Sequence, residues 1–387
     1  MRICYLANAA SPHTAKWAEH FSAQGHEVHV ISFDKNPALS PKIILHRLEK
    51  ALPFKLDYFS AGRRVRRLVT QIKPDILHAH YASGYGTLAR LGGFHPYLLS
   101  VWGSDVFEFP RRSPFHSTLL RRNLDAADGL SSTSRVLAAE TSKYTEKPVN
   151  LGPFGVDCEQ FKPNDALRRD SGEFVIGTVK SLEESSGIEN LLEAFKLLCE
   201  KHPEVNPRLV IIGGGTRDKK CRGVARQLGL DGRVTFTGPV PHGEIPRYLK
   251  GFSAFALLPH AESFGVAVLE ASACGLPVVV PRVGGLPEVV RDGLTGIMVA
   301  PGNTHEAADK LFTLAADSEL RRRLGRSGRA FVLQNYEWDE HAKRMERLYE
   351  SMLLRTANER LARVGRIQDA SNLRIANEEM CGNQEEE

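Results

Sequence analysis

Two glutamates stand eight positions apart in the stretch "ESFGVAVLE", at Glu262 and Glu270. An apolar run of strand length, 254–259, precedes them, and Gly275 and Pro277 follow. This pattern predicts a buried strand, then a loop that carries Glu262, then a helix that carries Glu270 in its second turn. Even on a continuous helix the two carboxylates would point about 80° apart. We therefore expect two separate tasks rather than a paired acid and base.

The predicted start of that helix lies between the two glutamates. Unpaired N–H groups and the positive end of the helix dipole make such a start a natural anion site. Ser263, Phe264, Gly265 and Val266 supply the amides, and the glycine lets a ligand approach the backbone closely. A diphosphate bound there would have one carboxylate on each side. Since carboxylates repel phosphate, their targets should be hydroxyls, and a nucleotide sugar has hydroxyls on both sides of its diphosphate.

Strand-length apolar runs alternate with helical patterns along the chain, which indicates an α/β protein with parallel sheets. The first half offers "RICYLA", "EVHVISF", "PDILHAH", "PYLLSVW" and "GLSSTS" as strands, with a helix at 14–24. The second half offers "FVIGTVK", "RLVIIGGG", "RVTFTG", "AFALLP", "PVVVP" and "GIMVA", with helices at 188–201 and 307–315. Two doubly wound units in series leave a cleft at the carboxyl ends of their strands.

A segment rich in Gly, Pro and Asp, 150–173, separates the two halves. We predict a first domain at 1–165, a second domain at 166–340 and a C-terminal helix at 341–365 that starts near Trp338. The polar, acidic residues 366–387 are predicted to be disordered.

Composition indicates a folded, water-soluble protein. The chain is 42% hydrophobic and 25% charged, which is an ordinary balance for a globular protein. Its 387 residues exceed the roughly 250–300 that one hydrophobic core supports, so we expect two domains. The sequence contains neither an apolar run of membrane-spanning length nor a signal-peptide pattern, so we expect a cytoplasmic location. Its six cysteines lack CxxC spacing, so neither a disulfide nor a metal site is expected.

Positive charge is concentrated in the first half. Residues 1–165 hold 21 Lys and Arg against 15 Asp and Glu. The excess clusters at 47–73, at Arg111 and Arg112, and at Arg121 and Arg122. One interpretation is a solvated helix face, and the other is a surface that attracts an anionic membrane or a phosphorylated acceptor. Nucleic acid is not expected, because no aromatic-interleaved basic motif accompanies the charge.

The motifs of the second half resemble those of a known enzyme family. "ESFGVAVLE" with "ASACGLPVVVPRVGGLPEVVRDGLTGIMVAPGN" resembles the E-x7-E region of the retaining GT-B glycosyltransferases, family 4. "GVDCEQFKP", "GTVKSLEESSGIENLLEAF", "LVIIGGG" and "VTFTGPVPHGEIPRYL" follow the family order. The resemblance implies two Rossmann-like domains facing a central cleft, with the C-terminal helix packing back toward the first domain.

The same resemblance implies roles for the residues of the motif. Glu262 would contact hydroxyls of the donor sugar, and the amides of Phe264, Gly265 and Val266 would hold the sugar and the diphosphate. Glu270 would bind the ribose. The donor, a nucleotide sugar, would be a substrate, and no cofactor is expected.

The departing nucleotide gathers negative charge, which a metal or fixed positive groups must neutralise. The sequence has no Asp-x-Asp pair suited to a divalent ion, so we expect a metal-independent enzyme in which Lys180 supplies the charge. Relatives often carry an arginine and a lysine in this segment, where Thr178 and Ser185 stand here. A second glycine-rich loop adds further donor-binding candidates, and the loop after the next strand adds another: Gly213, Gly215, Arg217 and Gly238.

The first domain departs further from the family. Relatives often show a glycine pair after the first strand and His-Gly-x-Asp near the sugar, and here the segments are "NAASPH" and "VWGSDV". Asp105 keeps the family's acid and is a catalytic candidate, with helix capping as the alternative. Candidates for the acceptor side are Trp102, Ser104, His80, Asn8, Ser11 and His13.

We expect a glycosyltransferase that moves a sugar from a UDP- or GDP-type donor to a hydroxyl acceptor with retention of configuration. A carbohydrate or lipid-linked acceptor, in polysaccharide or glycolipid assembly, agrees with the basic first domain, which would also favour peripheral association with the cytoplasmic membrane face. Two alternatives remain open. Thr178, Ser185 and Trp102 motivate a catalytically inactive nucleotide-sugar-binding subunit, and the fold also admits a sugar-nucleotide epimerase or hydrolase.

Overall fold

The computed structural model of the protein describes residues 1–50, 56–163 and 173–382. Strands and helices alternate along this part of the chain, as the apolar runs predict. The strands are β1 (Arg2–Leu6), β2 (Glu27–Ser32), β3 (Ile44–Arg47), β4 (Ile76–His80), β5 (Tyr97–Val101), β6 (Gly129–Ser132), β7 (Val149–Leu151), β8 (Val175–Val179), β9 (Arg208–Ile212), β10 (Val234–Gly238), β11 (Ala254–Ala256), β12 (Val278–Pro281) and β13 (Ile297–Val299).

Helices connect these strands and cover both faces of the sheets. They are α1 (Pro12–Ala23), α2 (Asp57–Ser60), α3 (Gly62–Ile72), α4 (Gly84–Gly92), α5 (Ser104–Phe107), α6 (Pro114–Ala126), α7 (Arg135–Thr141), α8 (Ile188–Lys201), α9 (Asp218–Gln227), α10 (Ile245–Leu249), α11 (Val266–Ala273), α12 (Leu286–Val289), α13 (Thr304–Ala316), α14 (Ser318–Asn335) and α15 (Trp338–Gly382). Because helices lie on both faces, β4 and β5 are buried at every position.

The strands form two parallel sheets. One has the order β3-β2-β1-β4-β5-β6-β7 and the other β10-β9-β8-β11-β12-β13. The strand order reverses between β1 and β4 in the first sheet and between β8 and β11 in the second. Ligands of open parallel sheets bind outside the carboxyl ends of the strands at such reversals. The fold therefore directs attention to the loops after β1, β4, β8 and β11.

The two halves are joined by two chain segments that lie side by side. After β7, Phe154, Val156 and Cys158 pack into the apolar core of the second sheet. The Val156 N–H donates to the Tyr336 carbonyl at 2.7 Å, and the Trp338 N–H donates back to the Val156 carbonyl at 3.0 Å. The two segments that cross between the halves are thus hydrogen-bonded to each other.

The C-terminal helix α15 returns to the first sheet, which confirms the prediction. Trp338, Met345, Tyr349 and Met352 are buried in one cluster with Tyr5 and other side chains of β1 and α1. The Tyr349 hydroxyl also hydrogen-bonds Nδ1 of His78 on β4, at 2.6 Å. A helix from the end of the chain therefore completes the core of the first domain.

The structure corrects the sequence interpretation in two places. Short edge strands β3 and β7 were missed, because most of their side chains are partly or fully exposed and no buried pattern marks them. Helix α15 continues to Gly382, beyond the predicted helix end at residue 365. The disorder predicted for residues 366–387 stays a prediction. The predicted boundary between 165 and 166, and residues 383–387, lie outside the described residues.

Candidate active site

Lys180 and Glu262 meet at the carboxyl ends of neighbouring strands. Lys180 follows β8 directly, and Glu262 lies in the loop after β11, which pairs with β8. Nζ of Lys180 lies 2.5 Å from Oε2 of Glu262, and the two side chains are 22% and 12% exposed. Residues that are 82 positions apart thus form one largely buried ion pair because β8 and β11 are adjacent.

The start of α11 lies beside this ion pair. Gly265 precedes the helix with φ of 104°, a left-handed conformation that favours glycine. The Phe264 N–H donates to Oε1 of Glu262 at 3.3 Å, and the Phe264 ring is buried. Within the described residues, the N–H groups of Val266 and Ala267 have no hydrogen-bond partner. The first turn of α11 therefore presents unpaired N–H groups beside Glu262, while the Phe264 amide is already bonded to that carboxylate. Anion binding at this turn stays a prediction.

Glu270 lies on the other side of this turn, in the second turn of α11. Its carboxylate is buried, with 8% of the side chain exposed. Nε2 of His242, in the loop after β10, lies 2.7 Å from Oε1 of Glu270. The geometry separates the two glutamates as the spacing predicts, and it gives each a different partner.

The second glycine-rich loop packs against the strand end that carries Lys180. A Cβ on Gly213 would lie 2.0 Å from the Lys180 carbonyl oxygen, and one on Gly215 would lie 2.5 Å from that of Leu182. Arg217 forms an ion pair with Glu184 at 2.7 Å. Gly238 has a positive φ of 76° and open space around it. These contacts give Gly213 and Gly215 a packing role, and a donor-binding role for this group stays a prediction.

On the first-domain side, aromatic rings form a bridge between the halves. Trp102 is 8% exposed and lies with its ring 5.2 Å from that of Phe154. His13, in the first turn of α1, stacks on Phe154 at 4.1 Å. Burial, with His242 and Lys16 nearby, lowers the pKa of His13 to about 4. Trp102 therefore packs within this aromatic group.

The carboxylate of Asp105 is hydrogen-bonded to the backbone of two loops. It accepts hydrogen bonds from the N–H groups of Ala82 at 2.7 Å, Gly103 at 2.8 Å and Trp102 at 3.2 Å. The residue is 1% exposed, and burial raises the pKa of its carboxyl despite these donors. With both oxygens used, Asp105 fixes the loops after β4 and β5 to each other. The geometry thus gives Asp105 a structural role between two loops, and its catalytic role stays a prediction.

His80 lies beneath the site rather than at its surface. It is 1% exposed, its Nδ1 lies 3.1 Å from Oγ1 of Thr14, and its ring lies 4.4 Å from that of Trp102. Burial, with His78 nearby, lowers its pKa well below the usual value. His80 is therefore a neutral core histidine that supports Trp102.

The remaining acceptor-side candidates lie at loop and helix starts. Asn8 is exposed, and its Oδ1 accepts from the Ala10 N–H at 2.8 Å. Ser11 is the residue before α1, and Ser104 is the exposed first residue of α5. They follow β1 and β5, so the fold brings them to the edge of the sheet that carries the aromatic bridge.

Comparison with known proteins decides the family. A family model described as "Glycosyl transferases group 1" matches residues 160–331, and one described as "Glycosyl transferase 4-like" matches residues 2–134. The chain is 33% identical over 325 residues to D-inositol 3-phosphate glycosyltransferase of Actinosynnema mirum, covering 76% of each protein. The chain belongs to the group 1 glycosyltransferases.

A second curated relative supports this group 1 glycosyltransferase assignment, and a solved structure shows the fold. The chain is 30% identical over 279 residues to the GDP-mannose-dependent alpha-(1-6)-phosphatidylinositol monomannoside mannosyltransferase of Mycolicibacterium smegmatis, covering 68% of this chain and 72% of that protein. The fold of the present chain is similar to that of Anabaena HepE, whose crystal structure contains UDP and glucose, with a TM-score of 0.74 and 19% identity. That match covers 91% of this chain and all of the other, and it confirms the GT-B fold.

The structure shows where the glycosyltransferase places the residues of the β8 segment that the family resemblance singled out. The side chain of Thr178 is fully buried within β8, so it does not reach the cleft. Lys180, two residues on, supplies the charge at the end of the strand. Ser185 lies in a short turn before α8.

Sequence analysis missed three residues at this site. His242 contacts Glu270, and nothing in its surrounding pattern predicts that pairing. Tyr81 follows β4 with a positive φ of 71°, and its ring lies 5.3 Å from that of Trp102. Glu288 of the "GGLPE" turn contacts the first domain, and the Gly-Gly turn was the available signal.

Proposed function

We propose that this enzyme transfers a sugar from a UDP- or GDP-type nucleotide sugar to an acceptor hydroxyl, with retention of configuration and without a metal ion. The observation that carries the proposal is the Lys180–Glu262 ion pair at 2.5 Å, next to the first turn of α11. One cation, one carboxylate and unpaired helix amides lie close together here, and groups of these kinds bind phosphates and sugar hydroxyls, which supports the proposal.

The donor would span the first turn of α11. In this proposal the diphosphate binds the amides of Val266 and Ala267, and the ribose hydroxyls bind Glu270 on the far side. Glu262 accepts hydrogen bonds from hydroxyls of the sugar. Lys180 then turns from Glu262 toward the phosphate, because the departing nucleotide gathers negative charge as the bond breaks.

The reaction we propose takes place on one face of the sugar. The bond between the anomeric carbon and the phosphate oxygen breaks, and a bond from the acceptor oxygen to the same carbon forms. The acceptor's proton passes to the departing phosphate. Lys180 and the helix amides stabilise the charge in the transition state, so the mechanism assigns no role to a protein nucleophile.

The comparisons support the class of donor and acceptor. HepE was crystallised with UDP and glucose, and the mycobacterial relative is named for GDP-mannose. The relative from Actinosynnema is named for an inositol phosphate acceptor. We propose a hydroxyl acceptor on a carbohydrate or a glycolipid, in polysaccharide or glycolipid assembly.

The surface of the first domain supports a lipid-linked acceptor. Arg63, Arg64, Arg66 and Arg67 project outward from α3, whose Val65 faces the core. Phe59 on the preceding helix is 42% exposed, and Phe115 on α6 is 62% exposed. Exposed cations and exposed aromatic rings on one domain favour an anionic membrane surface. None of the helices in the described part of the chain is apolar and long enough to span a membrane, so the proposed association is peripheral.

The test begins with a thermal-shift panel of UDP-glucose, UDP-N-acetylglucosamine and GDP-mannose. The stabilising donor is then incubated with inositol phosphate, phosphatidylinositol or short oligosaccharides, and nucleotide release is measured. The proposal predicts acceptor-dependent release and a product whose anomeric configuration, read by NMR, matches the donor. Donor binding without turnover would indicate the inactive subunit, and an isomerised donor without an acceptor would indicate the epimerase. An inverted product would contradict retention.

A further inference from the structure

The loop that carries Glu262 is clamped by the turn after β12. The Gly285 N–H donates to the Glu262 carbonyl at 2.9 Å. A Cβ on Gly284 would lie 1.8 Å from that same carbonyl oxygen, and one on Gly285 would lie 2.4 Å from the Ser263 carbonyl oxygen. Only glycines allow so close a contact. Any shift of this turn is therefore passed directly to the backbone of Glu262 and Ser263.

The same turn contacts the first domain through Glu288. The two carboxylate oxygens of Glu288 accept the N–H groups of Arg135 and Val136, each at 2.9 Å. These are the first two residues of α7, whose N–H groups have no partner within the helix. A carboxylate at a helix start also interacts favourably with the helix dipole. On its other side, the Glu288 carbonyl accepts the Tyr336 hydroxyl at 2.9 Å.

The start of α7 also contacts the Glu262 loop directly. Ser134, the residue before α7, donates its hydroxyl to the Ser263 carbonyl at 2.7 Å and caps the helix at the Leu137 N–H. Gly103 lies against the same residue, since a Cβ there would be 2.8 Å from Oγ of Ser263. The first domain thus meets the segment from Glu262 to Glu288 at both ends.

We propose that Glu288 is a positioning residue that fixes the Glu262 loop relative to the first domain and so sets the distance between donor and acceptor. The inference rests on the proposed contact of Glu262 with the donor sugar. Glu288 has no role in binding the nucleotide, which belongs to α11 and Lys180. Its loss therefore changes the rate of transfer rather than donor affinity.

The direct test is E288Q, compared with wild type and with D317N. Asp317 also accepts a helix N–H, from Leu320 at 2.8 Å, but that contact lies wholly within the second domain. E288Q replaces one accepting oxygen with an NH2 group that faces a backbone N–H. We expect E288Q to lower the maximal rate of nucleotide release by about 10- to 100-fold, since small misplacements at a reacting centre have costs of this size.

Affinity and shape supply the second readout. Affinity for UDP or GDP, whichever stabilises the wild-type protein, should stay within about threefold in E288Q, because Glu288 does not contact the nucleotide in this proposal. A threefold change in affinity is less than the free energy of one hydrogen bond to a charged group. Small-angle X-ray scattering should give a larger radius of gyration for E288Q than for wild type, with D317N unchanged. S134A should show the same pattern with a smaller loss of the maximal rate. It replaces E288Q as the test variant if E288Q does not fold.

These results separate the inference from the proposed function. If E288Q keeps the wild-type rate and radius of gyration, or if D317N loses rate equally, the inference is overturned while the transferase stands. If wild type turns over no donor with any acceptor, the proposed function fails, and scattering alone decides whether Glu288 holds the halves together. An equal loss of nucleotide affinity would also overturn the inference.

Discussion

The proposed mechanism depends on one contact, the Lys180–Glu262 ion pair. Both side chains are mostly buried, so removing one partner leaves the other as an unpaired charge in a largely enclosed place. In the proposed reaction the lysine exchanges this carboxylate for the departing phosphate. The pair therefore stores a cation at the position where negative charge develops.

Replacing Lys180 with methionine tests this role. K180M keeps the length and the apolar part of the side chain but removes its charge, so we expect nucleotide release to fall by about 100-fold or more, the usual cost of losing one group that stabilises developing charge. The measurement is the initial rate at saturating donor and acceptor. K220M is the matched control, since Lys220 forms a surface ion pair with Glu189 at 3.3 Å. A K180M rate within about threefold of the K220M rate would contradict the role.

Sequence reasoning reached the residues of the site that are defined by local pattern. Glu262, Gly265 and Glu270 follow from strand, loop and helix signals in one short stretch, and Lys180 follows from the end of a strand. His242 and Glu288 could not be predicted, because their partners lie on other elements and only the packing of the sheets brings them together. Asp105 was predicted as catalytic or structural because its position matched a motif, and the three backbone donors that it binds could not be read from the sequence.

At the scale of elements, β4 and α1 hold three histidines next to the site, of which two are fully buried and His13 is partly buried. His78 and His80 are on β4, and His13 is in the first turn of α1. Burial lowers the pKa of His78 to about 3 and that of His13 to about 4, and it lowers that of His80 well below the usual value. All three are neutral in the folded protein at neutral pH.

These histidines predict a loss of stability in acid. The unfolded chain takes up protons near pH 6.5, whereas folded His13 does so only near pH 4. Between these values the unfolded state binds more protons, so stability falls as pH falls, by up to about 1.4 kcal/mol per pH unit for each histidine. Urea unfolding at pH 7, 6 and 5 measures the slope. H13F keeps the stacking on Phe154 and should reduce the slope by one histidine's share, and an unchanged slope would contradict the assignment.

Most elements could be predicted because their sequence periods are strong. Buried runs such as "ILHAH" and "YLLSV" allow only a central parallel strand once helical patterns flank them. The exposed edge strands β3 and β7 lack that signal. The pairing of β8 with β11, which creates the Lys180–Glu262 contact, depends on the reversal of strand order and cannot be read from either segment alone.

At the scale of the whole molecule, the charge distribution gives the two halves different surfaces. The first 165 residues carry the net positive charge of the chain, and their surface exposes arginines as well as Phe59 and Phe115. The proposed donor site lies in the second half. This division agrees with an enzyme that takes its donor from solution and its acceptor from a membrane surface.

Vesicle sedimentation tests that division. We expect more protein on vesicles containing phosphatidylglycerol than on phosphatidylcholine alone, and less binding at high salt, because screening weakens attraction between exposed charges. Replacing Arg63, Arg64 and Arg67 with glutamine should reduce binding by roughly 1 kcal/mol per charge. The control replaces Lys219, Lys220 and Arg226 of the second half with glutamine. Equal binding by the two triple variants would contradict the proposed surface.

The central claim is that Glu262 holds the donor sugar while other groups hold the nucleotide. E262Q should therefore reduce acceptor-dependent nucleotide release by about 100-fold or more, with nucleotide affinity within about threefold of wild type. E306Q, which changes a partly buried second-domain glutamate that accepts the Ala300 N–H at 2.8 Å, should keep both values. Near-normal transfer by E262Q would contradict the account.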